Sequence, residues 1–139
     1  MNDPIDDVLA YWFEPHPTTP EEVEARRRFW FESSDATDRE IRERFGALVE
    51  QARAGRLDAW RATTRGTLAL LVLLDQFSRN LHRGRPDAFS HDPVALAIAE
   101  DAFATGRFDE LGLCVRMFAA LPYRHAEDVA AQVRAQSTL

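Results

Sequence analysis

The sequence contains no lysine, and all 17 of its basic residues are arginine. Every side-chain cation is therefore a planar guanidinium group, which stays protonated and can bind carboxylates and phosphates through parallel hydrogen bonds. Acidic residues number 23, so the net charge is −6, and the arginines form no continuous basic block. We expect no binding to nucleic acid, because phosphate backbones are bound by concentrated positive charge.

Cysteine and long apolar runs are also scarce. The single cysteine, Cys114, lies among apolar residues and is predicted to be a buried, unreactive thiol, which fits a reducing compartment. The apolar stretch from Leu68 to Leu74 is far shorter than the ~20 residues that span a bilayer. No signal-peptide pattern is present at the start. These features predict a cytoplasmic protein with no membrane association and one domain over residues 1–139.

Helix signals dominate the chain. Three sites place a capping side chain before a proline, which is a favoured helix start: Asp3-Pro4, Thr19-Pro20 and Asp92-Pro93. Gly55 and Gly106 fall where helices are predicted to end. No alternating apolar pattern predicts a strand. The sequence therefore predicts an all-α, compact antiparallel helical array, with helices at 4–13, 20–32, 36–54, 65–83, 93–105, 109–120 and 126–136.

The fourth predicted helix changes character halfway along. It is apolar through Leu74 and then carries a run of polar side chains. On a helical wheel of ~100° per residue, one stripe faces the core: Leu70, Leu74, Phe77 and Leu81. The polar residues fall on two flanks, one with Asp75, Arg79 and His82, the other with Gln76, Asn80 and Arg83.

This polar cluster has two interpretations. In the simpler one, Asp75 and Arg79 form an exposed i,i+4 ion pair worth a few tenths of a kcal/mol, and the other side chains are solvated. In the functional one, the cluster is the floor of a groove whose ligand-binding residues are Gln76, Arg79, Asn80 and Arg83. We expect Arg79 to be buried and paired with Asp75, Glu127 or Asp128, since a buried arginine needs a partner. We expect Arg83, nearer the helix end, to be free for a ligand.

A second candidate site lies near the C-terminus, where His125 is followed by Glu127 and Asp128. The acidic pair could simply complement the positive end of a helix dipole. Alternatively, His125 and Glu127 are candidate catalytic residues for proton transfer. The spacing matches no metal-binding motif, and no glycine-rich phosphate loop is present, so we predict no metal and no cofactor. Ser78 lies in no nucleophile motif.

Segments throughout the chain resemble a known family, the bacterial proteins with "domain of unknown function 924". The matching segments are Val8-Leu9-Ala10-Tyr11-Trp12-Phe13, Arg28-Phe29-Trp30-Phe31, residues 38–45, the set Leu73, Asp75, Gln76, Phe77, Arg79, Asn80, Arg83 and Gly84, and His125, Glu127, Asp128 and Gln132. The resemblance implies an all-helical fold similar to tetratricopeptide-like superhelices. It implies no established activity.

The chain departs from the family pattern in several places. Family members usually have proline where this chain has Ser78, and an aromatic residue where it has His82. They also usually continue beyond the position of Leu139, so we expect the family's last helices to be missing from this sequence. Uncovered apolar surface favours association, and we therefore predict a homo-oligomer formed through residues 113–139.

Together, these observations predict a helical binding module. Its groove would accept a small anionic ligand or an acidic peptide. The alternative is a small-molecule enzyme that uses His125 as general acid or base, with Arg79 or Arg83 stabilising an anion. A third possibility is that the polar cluster only ties helices together. An enzyme requires His125 to be within hydrogen-bond reach of a carboxylate and open to a pocket, whereas a structural role requires every polar group to be satisfied.

Overall fold

The computed structural model describes residues 3–14, 18–31, 35–85, 90–109, 115–116 and 119–122. Within these ranges it is all-helical and contains no strand, which confirms the predicted fold class. The α-helices are α1 (Pro4–Phe13), α2 (Pro20–Phe31), α3 (Asp35–Arg53), α4 (Thr64–Leu71), α5 (Ser78–Leu81) and α6 (Asp92–Ala104). A short 3-10 helix, Asp58–Ala62, precedes α4, and a π-helical segment, Val72–Phe77, joins α4 to α5.

The first five predicted helices are confirmed, each within two residues at either end. We call residues 64–81, comprising α4, the π segment and α5, the central helix, since they form one continuous helical rod. The sixth predicted helix, 109–120, is described only in part, with residues 115, 116 and 119 helical. The seventh, 126–136, and Cys114 lie outside the described residues.

Two of the three predicted helix caps are confirmed. Asp3 Oδ1 accepts the backbone N–H of Ile5 at 2.9 Å, and Thr19 Oγ1 accepts that of Glu22 at 3.1 Å. The prediction for Asp92 was wrong, because Asp92 is itself the first residue of α6 and its side chain does not cap the helix. Its carboxylate instead accepts a hydrogen bond from Arg79 of the central helix. Long-range charge pairing has taken the place of a local cap.

The central helix is the core element of the fold. It contacts α1, α3 and α6, and all seven residues from Leu68 to Leu74 are buried. A helix that is apolar on every face is stable only when neighbours cover every face. Leu70, Leu74 and Phe77 are buried as predicted, but Leu81 is only partly buried, so this part of the predicted stripe was wrong.

The π segment explains the exposure of Leu81. The backbone N–H and the hydroxyl of Ser78 both donate to the carbonyl oxygen of Leu73, five residues earlier. A turn of this kind holds one residue more than an α-turn. The residues that follow are displaced by about 100° from the positions that a regular helical wheel gives them.

Aromatic side chains join α1, α2 and the central helix. Trp12 is fully buried, and its ring centroid lies 5.1 Å from that of Phe29 and 5.3 Å from that of Phe77. The Trp30 indole N–H also donates to the Trp12 carbonyl oxygen at 2.8 Å. These contacts pack α1 against α2 and against the central helix, and burial of such large side chains is a major source of stability.

Two glycines give a matched test of the contact between the 3-10 helix and α4. A Cβ atom at Gly66 would lie 2.1 Å from the Trp60 carbonyl oxygen, so Gly66→Ala forces the 3-10 helix away from α4. We expect a loss of about 1–3 kcal/mol in the free energy of unfolding. At Gly46, within α3, the same Cβ makes ordinary contacts, with Leu81 at 3.7 Å and with Arg42 at 3.9 Å. Gly46→Ala should therefore be neutral or stabilise by up to ~1 kcal/mol.

Urea denaturation of both variants measures the two effects. Equal losses of stability in Gly66→Ala and Gly46→Ala would contradict the tight contact between the 3-10 helix and α4.

Candidate functional site

One polar network connects the end of the central helix to the beginning of α3. Arg83 donates from Nε to Asp38 Oδ2 at 2.8 Å and from Nη2 to Asp38 Oδ1 at 3.1 Å. Asn80 donates from Nδ2 to Asp38 Oδ1 at 2.8 Å, and Gln76 donates to Asn80 Oδ1 at 3.2 Å. The arrangement of Arg83 around Asp38 is a bidentate pair, which fixes the orientation of the guanidinium group as well as its position.

The structure thus brings together the predicted flank of Gln76, Asn80 and Arg83. The prediction that Arg83 would be free was wrong, because Asp38 of α3 binds its guanidinium group. The Arg83 side chain nevertheless remains 45% exposed, so part of it still faces solvent. Asp38 therefore fixes the position and the orientation of the Arg83 guanidinium group at the protein surface.

The charge state of Asp38 follows from its surroundings. Burial raises the pKa of this carboxyl group, but the hydrogen bonds from Arg83 and Asn80, together with the charges of Arg83 and Arg42, outweigh burial. The net result is a pKa below the ordinary value. The hydrogen bond with Asp38 in turn raises the pKa of Arg83. Asp38 and Arg83 therefore form a fully charged pair at neutral pH.

A polar surface cleft of about 380 Å³ opens beside this pair. Its lining comes from α3 and from the end of the central helix: Asp35, Asp38, Arg39, Arg42, Asn80, Leu81, Arg83 and Arg85. We call it the arginine cleft. Arg39, Arg42 and Arg85 are exposed, and none of their side chains hydrogen-bonds or ion-pairs with any part of the chain that the structure describes.

Sequence reasoning missed most of this cleft. Its α3 residues are Asp35, Asp38, Arg39 and Arg42, which follow the i, i+3, i+4, i+7 spacing of one helix face. That spacing is a usable signal, since it predicts that the four side chains share one face of the helix. A polar face is usually just solvated, however, and only the contact with the central helix distinguishes this one.

The side chains of the other predicted flank, Asp75, Arg79 and His82, do not all lie together. Arg79 Nη2 lies 2.8 Å from Asp92 Oδ2 of α6 and 3.7 Å from Asp75 Oδ1. The predicted pairing of Arg79 with Asp75 is confirmed, but the closer partner, Asp92, was not predicted. His82 lies apart from this pair, with Nε2 3.3 Å from Glu50 Oε1 of α3. Arg79 does not line the arginine cleft.

Burial distinguishes the Arg79 group from a surface ion pair. The side chains of Arg79, Asp75 and Asp92 are 18%, 3% and 13% exposed. Charges at this depth need partners, because desolvation is costly and the surrounding dielectric is low. The simpler interpretation, an exposed ion pair of little energetic value, is therefore wrong for Asp75 and Arg79. The remaining candidates, His125, Glu127 and Asp128, lie outside the described residues.

A second cleft, of about 490 Å³, lies between the end of α1, α2 and α3. Tyr11 and Phe29 form its aromatic wall, and its polar lining is Glu14, Glu22, Arg26 and Glu40. Arg26 donates to the carbonyl oxygens of Trp12 and Glu14, so its guanidinium group serves to join α2 to α1. Its excess of carboxylates makes this cleft unsuited to an anion.

Within the described ranges, no group of three or more histidine, cysteine or carboxylate side chains could hold a metal ion. In the same part of the chain, no helix is long and apolar enough to cross a membrane. The fold and the cleft define the class: an all-helical protein with an arginine-lined surface cleft.

The chain belongs to the bacterial family described as "Bacterial protein of unknown function (DUF924)", which it matches over residues 8–139. The family resemblance inferred from the sequence is therefore confirmed. A solved structure of a protein of unknown function from Agrobacterium tumefaciens is similar, with 34% sequence identity and a TM-score of 0.75. The match covers 94% of this chain and 69% of the other. No curated protein matches the sequence.

The Arg79 group predicts a large stability effect. Arg79→Ala would leave Asp75 and Asp92 buried without their cation, and we expect a loss of about 3–5 kcal/mol in the free energy of unfolding. Arg65→Ala is the matched control, since the Arg65–Asp6 pair is 62% and 60% exposed. Its loss should stay below about 1 kcal/mol. Urea denaturation at neutral pH distinguishes the two, and similar losses would mean that Arg79 is not a structural cation.

The lowered pKa of Asp38 predicts a pH dependence. A carboxyl group with a depressed folded-state pKa stabilises the fold above its unfolded pKa of about 3.9, and this contribution disappears as pH falls through the folded-state value. Asp38→Asn should therefore lose about 1–3 kcal/mol at pH ~7 relative to wild type, and this difference should shrink as pH falls below ~3.9.

The measurement is urea denaturation of wild type and Asp38→Asn at pH ~7 and at a pH below ~3.9. Asp58→Asn, at an exposed position, is the control and should differ from wild type by less than about 0.5 kcal/mol. A deficit of Asp38→Asn that is the same at both pH values would contradict the charged pair.

Proposed function

We propose that the protein is a binding module that takes a small anionic ligand, or the acidic end of a peptide, in the arginine cleft. The observation that supports this is the set of three exposed arginines, Arg39, Arg42 and Arg85, which line one concave site and make no side-chain hydrogen bond or salt bridge with the described residues. In the proposed site they contact the ligand, and Arg83 adds a fourth cation whose orientation Asp38 fixes.

This concentration of unpaired cations is unusual within the chain. Acidic residues outnumber basic ones, and most exposed arginines elsewhere in the described ranges pair with a nearby carboxylate: Arg27 and Arg28 pair with Glu24, Arg44 with Glu40, and Arg65 with Asp6. Arginines that are held close together repel one another unless an anion lies between them. A ligand that supplies this negative charge gains charge-assisted hydrogen bonds and also relieves the repulsion.

The predicted ligand-binding set changes accordingly. In the proposed site Gln76 and Asn80 position other residues and do not contact the ligand. The Asn80 amide holds Asp38 in place, and the Gln76 amide holds Asn80 in place. Arg79 is a structural cation outside the cleft, and Arg83 remains a ligand-binding candidate. The enzyme alternative depends on His125, and no feature of the described residues favours it over a binding role.

The proposal keeps three expectations from the sequence. The module is cytoplasmic, its helices follow a tetratricopeptide-like superhelix, and it self-associates through residues 113–139. Sedimentation and limited proteolysis of the purified protein test the last of these independently of ligand binding.

Calorimetric titration at low ionic strength tests the cleft, with sulfate and a short glutamate-rich peptide as the two ligands. We expect Arg39→Ala and Arg42→Ala each to weaken binding by about tenfold, which corresponds to the loss of one charge-assisted contact. Arg56→Ala removes an exposed arginine outside the cleft and should leave affinity within about twofold of wild type, so it controls for net charge.

The proposal fails if wild type binds neither sulfate nor the peptide. It also fails if all three variants bind as wild type does, because the anion would then be held elsewhere.

A further inference from the structure

The charges that line the arginine cleft define its ligand more narrowly. We infer that the preferred ligand is a doubly charged tetrahedral anion, that is, the phosphate group of a small phosphate monoester. This inference rests on the proposed function, since it names the ligand class of the same site.

The first argument is the charge balance. The lining holds four arginines and two aspartates, which gives a net charge of +2. The pairing of Arg83 with Asp38 neutralises one charge of each sign, and exposed Asp35 lies near enough to Arg83 to raise its pKa. An excess of two positive charges is neutralised by a dianion, whereas a carboxylate leaves half of it unbalanced.

The second argument is geometric. A carboxylate has two oxygen atoms and is satisfied by one bidentate guanidinium group. The cleft presents Arg39, Arg42 and Arg85, each with a planar fork of N–H donors not used by any described residue. A phosphate monoester has three terminal oxygen atoms, each with several lone pairs, and can accept hydrogen bonds from several forks at once. The number of donors thus matches phosphate better than carboxylate.

The remaining lining limits the rest of the ligand. Both polar atoms of the Asn80 amide are already engaged, by Asp38 and Gln76, and Leu81 is the apolar residue of the lining. The cleft volume of about 380 Å³ is at the small end of the range for ligand sites, ~300–1,000 Å³. Recognition is therefore concentrated on the charged group, and the organic part is small.

Methyl phosphate and methyl sulfate provide the test, because they have nearly the same shape but different charge. Above pH ~6 a phosphate monoester is largely a dianion, whereas methyl sulfate remains a monoanion. At pH ~7.5 we expect wild type to bind methyl phosphate about tenfold more tightly than methyl sulfate. At pH ~5 only about one tenth of the phosphate is dianionic, and the rest is a monoanion that should bind about as methyl sulfate does. The apparent affinity for methyl phosphate should therefore fall about fivefold, to within about twofold of that for methyl sulfate, which stays constant.

Two controls keep the interpretation clear. Titration of the protein's own groups would change the affinities for methyl phosphate and methyl sulfate alike. The difference between the pH dependences of the two affinities therefore reports the charge of the ligand. Arg42→Lys keeps the charge but loses the planar fork, and it should weaken methyl phosphate binding several-fold. Arg56→Lys, at a position outside the cleft, should not.

The possible results separate the two proposals. If both ligands bind equally and without pH dependence, the cleft is an anion site but the inference of a dianion is overturned. If Arg42→Lys and Arg56→Lys both bind like wild type, the phosphate is not held by the guanidinium fork, which also overturns it. If neither ligand binds, and sulfate and the glutamate-rich peptide also fail, the proposed function itself is lost.

Discussion

The structure depends on a constraint in the central helix, which is buried on all sides from Gly66 to Leu74 and then carries mostly polar side chains. The rod is continuous, so these side chains cannot leave the core at once, and each buried polar group needs a partner. The partners come from the two helices that cover the polar end: Asp38 of α3 binds Asn80 and Arg83, and Asp92 of α6 binds Arg79. The contacts of α3 and α6 with the central helix therefore provide both the packing and the charge pairing.

Arg79 of the central helix and Arg83, just beyond its end, have different roles because they lie at different depths. Arg79 is 18% exposed and lies between one buried carboxylate and one that is 13% exposed, whereas Arg83 is 45% exposed and borders an open cleft. A deep arginine fixes neighbouring helices, and its loss leaves uncompensated charge in the core. A superficial arginine held by one carboxylate keeps a defined orientation towards solvent. Such preorganisation reduces the entropy lost when a ligand binds.

The π segment influences both roles. By adding one residue to the turn before Ser78, it sets the direction in which α5 presents its side chains. Short π segments in otherwise regular helices are often found at functional sites, where they redirect side chains at a cost in backbone regularity. Here the redirected part carries Asn80 and Arg83, which meet α3 at Asp38. The geometry of the arginine cleft therefore follows partly from this irregular turn.

The sequence alone determined the all-α class, the positions of the first five predicted helices and the presence of a polar cluster on the fourth. These features depend on signals within a few residues of one another, namely apolar periodicity, caps and glycine stops. Tertiary structure decided which groups pair, since Asp38 is 45 residues from Arg83, and Asp92 is 13 from Arg79. It also decided the partial exposure of Leu81 and the grouping of Arg39, Arg42 and Arg85. The exposure of Leu81 and the grouping of the arginines depend on how the helices cross and on the π segment. Neither of these follows from the spacing of residues along the sequence.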